Sequence, residues 1–145
     1  MEQTIEGKLA SNIKIVRKKF NSFLLNSMPE IKENYFTAND YIIFEFIGNK
    51  KKTMNEISEE LKLTPGTTTT IIDKLIDKDY VKRERDEKID RRKVFISLSV
   101  KGKKLYTKSL ENQKKFSKKI LNKLTKQEEK DLFGILKKIN EIEFK

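Results

Sequence analysis

Apolar residues recur at three- and four-residue steps over the first part of the chain, at Ile5, Leu9, Ile13, Val16, Phe20 and Phe23. That period marks an amphipathic helix from Ile5 to about Leu25, with one face that needs a partner. Pro29 is expected to end it. Thr37 followed by Asp40 resembles a helix start, and the segment ANDYIIFEFIG that it opens closes at Gly48. This second helix is apolar enough to be central.

The next stretch, TMNEISEELKL, has Thr53 and Glu56 at capping-box spacing and Ile57 and Leu61 as an i, i+4 apolar pair, so a short helix is expected to end near Lys62. Thr64 and Pro65 then give an N-cap followed by proline at the first helical position. Thr68, Ile72, Leu75 and Ile76 share one face of the helix beyond. Two helices joined by a turn of about three residues read as a helix-turn-helix. Asp79 stands where a C-terminal glycine is common, and aspartate tolerates the left-handed conformation needed there.

After Asp79 the period changes from helical to alternating. One strand is expected from about Val81 to Arg85, a turn from roughly Asp86 to Arg91, and a second strand with Val94, Ile96 and Leu98 on one face. This is a two-stranded wing attached to the helix-turn-helix. The last third returns to helix, with Ser99 as cap, Leu105, Leu110, Phe116 and Ile120 along a lysine-rich segment, and a capping box at Thr125 and Glu128. Leu132, Ile135, Leu136, Ile139 and Ile142 follow at helical spacing. Long amphipathic helices at both ends of so small a centre leave apolar stripes in water unless a second chain covers them, so a homodimer is expected.

Composition narrows the chemistry. The 145 residues contain no Cys and no His, which removes disulfides, thiol sensing, Cys or His metal ligands and His-based acid/base catalysis. The acidic residues are scattered among lysines, and no Gly-rich phosphate loop is present, so the chain is not read as an enzyme and no cofactor is expected. Nor is there an apolar run near the roughly 20 residues of a membrane span or a signal-peptide core, and a cytoplasmic protein without membrane contact is expected. Lys and Arg number 33 against 22 Asp and Glu, a formal net charge of +11 that favours a polyanionic partner. A lysine-biased surface would explain the bulk charge but not the arginines. Four of the five, Arg83, Arg85, Arg91 and Arg92, fall within ten residues. A planar guanidinium suits bidentate or narrow-groove contacts to phosphates and bases.

Two elements are therefore candidates for nucleic-acid contact. Four consecutive threonines in TPGTTTTIID are poor helix formers, and short hydroxyls and methyls at a helix N-terminus can meet phosphate oxygens, base edges and thymine methyls. Helical phase turns Thr68 to the core and leaves Pro65, Gly66, Thr67, Thr69 and Thr70 available to double-stranded DNA. In the wing, Asp90 precedes Arg91 and Arg92 at a tight turn, where a carboxylate can hold one guanidinium as it reaches into a narrow minor groove. A winged helix used for RNA or protein contact is the nearest other reading.

The order of these parts resembles the MarR family of bacterial transcriptional regulators. The likeness rests on NEISEELKLTPGTTTTIIDKLIDKDYVKRERDEKIDRRKVFISLSVKGKKL, above all on Asp90-Arg91-Arg92 and the exit Leu98-Ser99-Val100-Lys101-Gly102. It implies a mainly α fold with a small two-stranded β wing, a winged helix-turn-helix over residues 37–98, and dimerisation helices at 1–30 and 99–145 of one 1–145 unit. By the same resemblance, Arg92 would enter the minor groove, Arg91 would support it or meet phosphate, Asp90 would orient, and Lys74 would lie near phosphate. Thr70 departs from the family, where Arg is frequent. A ligand-responsive repressor on an inverted-repeat operator is implied. Small organic anions regulate many members, and Tyr35, Phe36, Tyr41, Phe44 and Phe46 are candidates to line such a cavity.

Overall fold

The computed structural model describes residues 4–144. Along it lie α1 (Ile5–Ser27), α2 (Pro29–Glu33), α3 (Ala38–Ile47), β1 (Lys52–Thr53), α4 (Met54–Leu61), α5 (Pro65–Asp77), β2 (Val81–Arg85), β3 (Val94–Leu98), α6 (Val100–Leu121) and α7 (Lys126–Asn140). The start signals hold. Thr37, Thr53 and Thr125 each accept the backbone N–H three residues on, while Asp40, Glu56 and Glu128 reach back to the cap N–H, forming three reciprocal capping boxes. Such caps satisfy N–H groups that have no partner inside the helix and are worth about 1 kcal/mol each. Ser99 does the same for α6, accepting from Gly102 N–H at 3.0 Å.

Two features go beyond the expectations. Pro29 does not merely follow the first helix: α1 stops at Ser27, and Pro29 occupies the first turn of the separate short helix α2, where its missing N–H costs nothing. The expected two-stranded wing, β2 and β3, is joined by a third strand, in the order β1-β3-β2. Lys52 and Thr53 pair antiparallel with Ile96 and Phe95, while β2 pairs with β3 from Val81↔Leu98 to Arg85↔Val94. A two-residue strand is too short for alternation to reveal, and Thr53 also caps α4.

The chain divides into two compact units, one of Leu24–Leu110 and one built from the described residues up to Phe23 and from Glu111 onward. The core of the first contains Met28, Ile43, Phe44, Ile47, Ile57, Ile72, Leu75, Tyr80, Ile96 and Leu98, each at most 2% exposed. Burying such a side chain contributes about 1.5–3 kcal/mol relative to leaving it in water. Helix α3 supplies three of these residues, which is why its sequence is apolar on more than one face. Asp79 takes φ of +64° and stops α5, with its N–H bonded to Ile76 O and that of Tyr80 to Leu75 O. These bonds satisfy the last carbonyls of α5 and turn the chain into β2.

In the second unit, Phe116 of α6 meets Phe20 and Phe23 of α1 at ring-centroid distances of 5.1 and 5.5 Å. Ile5, Leu9, Ile13 and Val16 of α1, and Phe133, Ile135, Leu136 and Ile139 of α7, remain exposed. Among the described residues, no helix is long and apolar enough to cross a membrane.

Candidate nucleic-acid interface

Helix α5 is built to show its N-terminal turns. Thr64 caps it, accepting Thr67 N–H at 3.2 Å, and Pro65 takes the first helical position. Thr68 is fully buried; its Oγ1 accepts from Ser58 Oγ at 2.8 Å and donates to Thr64 O at 3.0 Å, which fastens α4 to α5. Pro65, Gly66, Thr67, Thr69 and Thr70 are exposed.

The threonine hydroxyls are not free donors. Thr69 Oγ1 donates to Pro65 O at 2.9 Å and Thr70 Oγ1 to Gly66 O at 3.0 Å. Thr64 Oγ1 lies 2.8 Å from Thr67 Oγ1 and donates to it. Bonding to the i−4 carbonyl is the usual local competition of threonine with its own helix. What Thr69 and Thr70 keep for a partner is therefore a methyl and an acceptor oxygen, while Thr67 keeps its own hydroxyl hydrogen.

Lys74, three turns into the same helix, is already engaged. Its ammonium lies 2.5 Å from the Asp40 carboxylate, which is 1% exposed, and 3.5 Å from Tyr35 O. One turn on, Lys78 donates to Asn34 O. Partial burial, with Lys74 adding repulsion and Asp40 opposing, pushes the Lys78 ammonium below its ordinary pKa. The family resemblance implied Lys74 near phosphate; its bond to a buried carboxylate has no signature in local spacing, since Asp40 reads fully as a cap.

The arginine cluster divides in two. Arg83 pairs with Asp73 of α5 at 2.5 Å, tying the wing to that helix. Within β2, Glu84 sits 2.8 Å from Lys51 and 2.7 Å from Lys82, and these hydrogen-bonded ammonium groups hold its carboxyl down at about 2. Beyond Arg85 the turn is shaped by carboxylates acting on backbone. Asp86 accepts the N–H groups of Lys88 and Ile89 at 3.1 and 3.2 Å, and Asp90 accepts that of Arg92 at 3.0 Å. Asp90 thus orients through the main chain, not by gripping a guanidinium as its position suggested. Arg91 and Arg92 are exposed, and among the described residues neither forms an ion pair.

Three of the five candidate effector aromatics, Phe36, Tyr41 and Phe44, pack against other rings. Phe36 meets Phe44 and Tyr80 edge-on at 6.1 and 5.2 Å, and Phe44 also meets Tyr41 and Tyr106 at 6.2 and 6.1 Å. Tyr35 instead projects into solvent, and Phe46 lies under the Lys52 ammonium at 4.6 Å.

Comparison with known proteins decides the family. Residues 27–109 match the model of the family described as transcriptional regulator SarA/Rot. The chain belongs to that family. This SarA/Rot regulator is 28% identical over 140 residues to the HTH-type transcriptional regulator BilQ of Clostridium symbiosum, covering 96% of this chain and 92% of the relative. With the HTH-type regulator SarZ of Staphylococcus aureus it shares 37% identity over 91 residues, 62% of this chain and 56% of SarZ. Its fold is the MarR-like winged helix. A MarR-like transcriptional regulator from Thermotoga maritima superposes with a TM-score of 0.80 at 26% identity over 92% of this chain and 93% of that one. FabT of Streptococcus pneumoniae, solved in complex with DNA, has the same fold, with a TM-score of 0.74 at 23% identity over 92% and 94% of the two chains.

Proposed function

We propose that this SarA/Rot regulator binds double-stranded DNA sequence-specifically as a homodimer and acts as a repressor. The observation that carries this reading is the contrast within the wing. Arg83 is consumed by Asp73, whereas Arg91 and Arg92 stand exposed and unpaired at a turn braced by Asp86 and Asp90. An unpaired guanidinium pair on a stiff hairpin next to a helix-turn-helix suits a narrow, negatively charged groove. The complex of FabT with DNA shows that this fold is used for DNA in a similar protein.

In this reading the N-terminal turns of α5 enter the major groove, as recognition helices do. Pro65 and Gly66 allow close approach, Thr67 donates to a base or phosphate acceptor, and Thr69 and Thr70 offer methyls and acceptor oxygens. Arg92 enters the minor groove and Arg91 holds phosphate, with Asp90 fixing the turn. Residues 37–98 form the DNA-binding lobe, and the segments 1–30 and 99–145, of which 1–3 and 145 lie outside the described residues, carry the dimerisation helices. The exposed stripes on α1 and α7 support that assignment, since apolar surface of this extent suits burial against a second copy.

A dimer occupying its operator represses by excluding other proteins from it. A small organic anion would relieve repression only by binding one separation of the two lobes better than another. We assign it no residues: Phe36, Tyr41 and Phe44 pack against other rings, Phe46 lies under the Lys52 ammonium and Tyr35 is exposed.

Thr67→Ala and Thr69→Ala test the base-reading role. Each is expected to cost about 1 kcal/mol or more of discrimination between operator and random DNA while changing affinity for random DNA little. Fluorescence anisotropy with both duplexes measures this, and equal losses on the two would reassign these residues to phosphate.

A further inference from the structure

We propose that Lys74 is a positioning residue for DNA recognition, holding α5 in register through the buried carboxylate of Asp40 instead of touching DNA itself. This rests on the DNA-binding reading above. A lysine on a recognition helix in a chain of net charge +11 would ordinarily stay solvated and available to phosphate. Here the ammonium turns inward, 2.5 Å from a carboxylate that is 1% exposed.

Asp40 needs it there. The same oxygen, Oδ2, accepts Thr37 N–H at 2.8 Å and the Lys74 ammonium, and no other cation pairs with Asp40 among the described residues. Drawing Lys74 away to a phosphate would leave a buried charge without a counter-charge, which is far more unfavourable than the gain from one solvent-screened phosphate contact. So the competition between Asp40 and DNA for this ammonium goes to Asp40.

The pair does not act alone. Lys78, one turn further along α5, donates to Asn34 O, and Lys74 also faces Tyr35 O at 3.5 Å. Tyr35 itself holds φ of +54°, so the connection between α2 and α3 takes a defined bend opposite these two lysines. The preceding residue of α5, Asp73, is tied to Arg83 of β2. The helix is thus braced by ion pairs from two neighbouring residues, Asp73 and Lys74, to two different elements. Lys74 is seven residues from Thr67, about 10 Å along the axis at the helical rise of about 1.5 Å per residue. A small tilt at the brace moves the base-reading turn by a distance that recognition does not tolerate.

The test uses Lys74→Gln, Asp40→Asn, the double variant and Lys74→Arg, each full-length and checked by thermal melting. Binding is measured across a salt series on the duplex that the wild-type protein selects from genomic fragments, and on a random-sequence duplex of equal length. The expected result is that Lys74→Gln and Asp40→Asn each lower affinity for the selected duplex relative to the random one by about tenfold, the size usual for one contact network. The log–log salt slope stays at the wild-type value, the double variant is no worse than either single, and Lys74→Arg restores binding. A slope reduced by about one in Lys74→Gln, with Asp40→Asn unaffected, would make Lys74 a phosphate contact and overturn the proposal. So would an unchanged ratio of selected to random affinity, since that reduces the pair to fold stability. Should Asp40→Asn fail to fold, the slope and ratio of Lys74→Gln decide alone. Failure of the wild-type protein to bind any duplex is a separate result and removes the DNA reading itself.

Discussion

Replacing Gly102 with alanine is expected to lower the unfolding free energy by about 3 kcal/mol, the upper end of the range for overpacking. A Cβ there would lie 2.1 Å from the carbonyl oxygen of Tyr80 and 3.2 Å from Leu98 Cβ. Neither neighbour can swing aside. Tyr80 O is a backbone atom that accepts Ser99 N–H at 3.0 Å, and Leu98 is the last residue of β3 and fully buried. Relief therefore requires moving the first turn of α6 away from the start of β2, which opens the base of the wing. Urea unfolding followed by circular dichroism measures the loss, and a change below about 1 kcal/mol would show that the junction yields easily. Gly66→Ala is the control. Nothing lies within 4 Å of its added Cβ, so the change should be neutral or slightly stabilising, because alanine favours a helix over glycine by about 1 kcal/mol.

Arg92→Ala is expected to weaken operator binding by about tenfold or more and to reduce the salt slope by about one. The side chain is exposed and among the described residues has no carboxylate partner, so its removal takes nothing from the fold and the loss falls on DNA. Arg83→Ala is the informative comparison. Its guanidinium is bonded to Asp73 at 2.5 Å, between partners that are 42% and 52% exposed, so its removal should cost the fold only the modest amount of a surface pair and leave the salt slope near the wild-type value. Anisotropy titrations at several salt concentrations separate the two variants. Unchanged affinity and slope in Arg92→Ala would take the wing out of recognition.

The contrast between these arginines also shows what the sequence made legible. Helix starts were readable because a capping box is a local device: Thr37 with Asp40, Thr53 with Glu56 and Thr125 with Glu128 each act over three residues. The strand pair Val81–Arg85 and Val94–Leu98 was readable from its alternation, and the stop at Asp79 from its tolerance of positive φ. The inward turn of Thr68 followed from helical phase.

Long-range polar partners were not readable. Asp40 to Lys74 spans 34 residues and Asp73 to Arg83 spans 10, and at neither position does local spacing single out the partner. The role of Gly102 was legible only as part of a family-like exit, because the carbonyl it must clear belongs to Tyr80. Strand β1 escaped notice because two residues carry no period, and α2 because Pro29 can end one helix and begin another.

Selection of genomic fragments by the purified protein decides whether the chain reads a DNA sequence. The enriched fragments are expected to share an inverted repeat with half-sites about one helical turn, or roughly 10 base pairs, apart. They should bind at least about a thousandfold more tightly than random duplex at physiological salt. Enrichment of no common sequence, with structured RNA competing as well as duplex DNA, would contradict sequence-specific DNA binding.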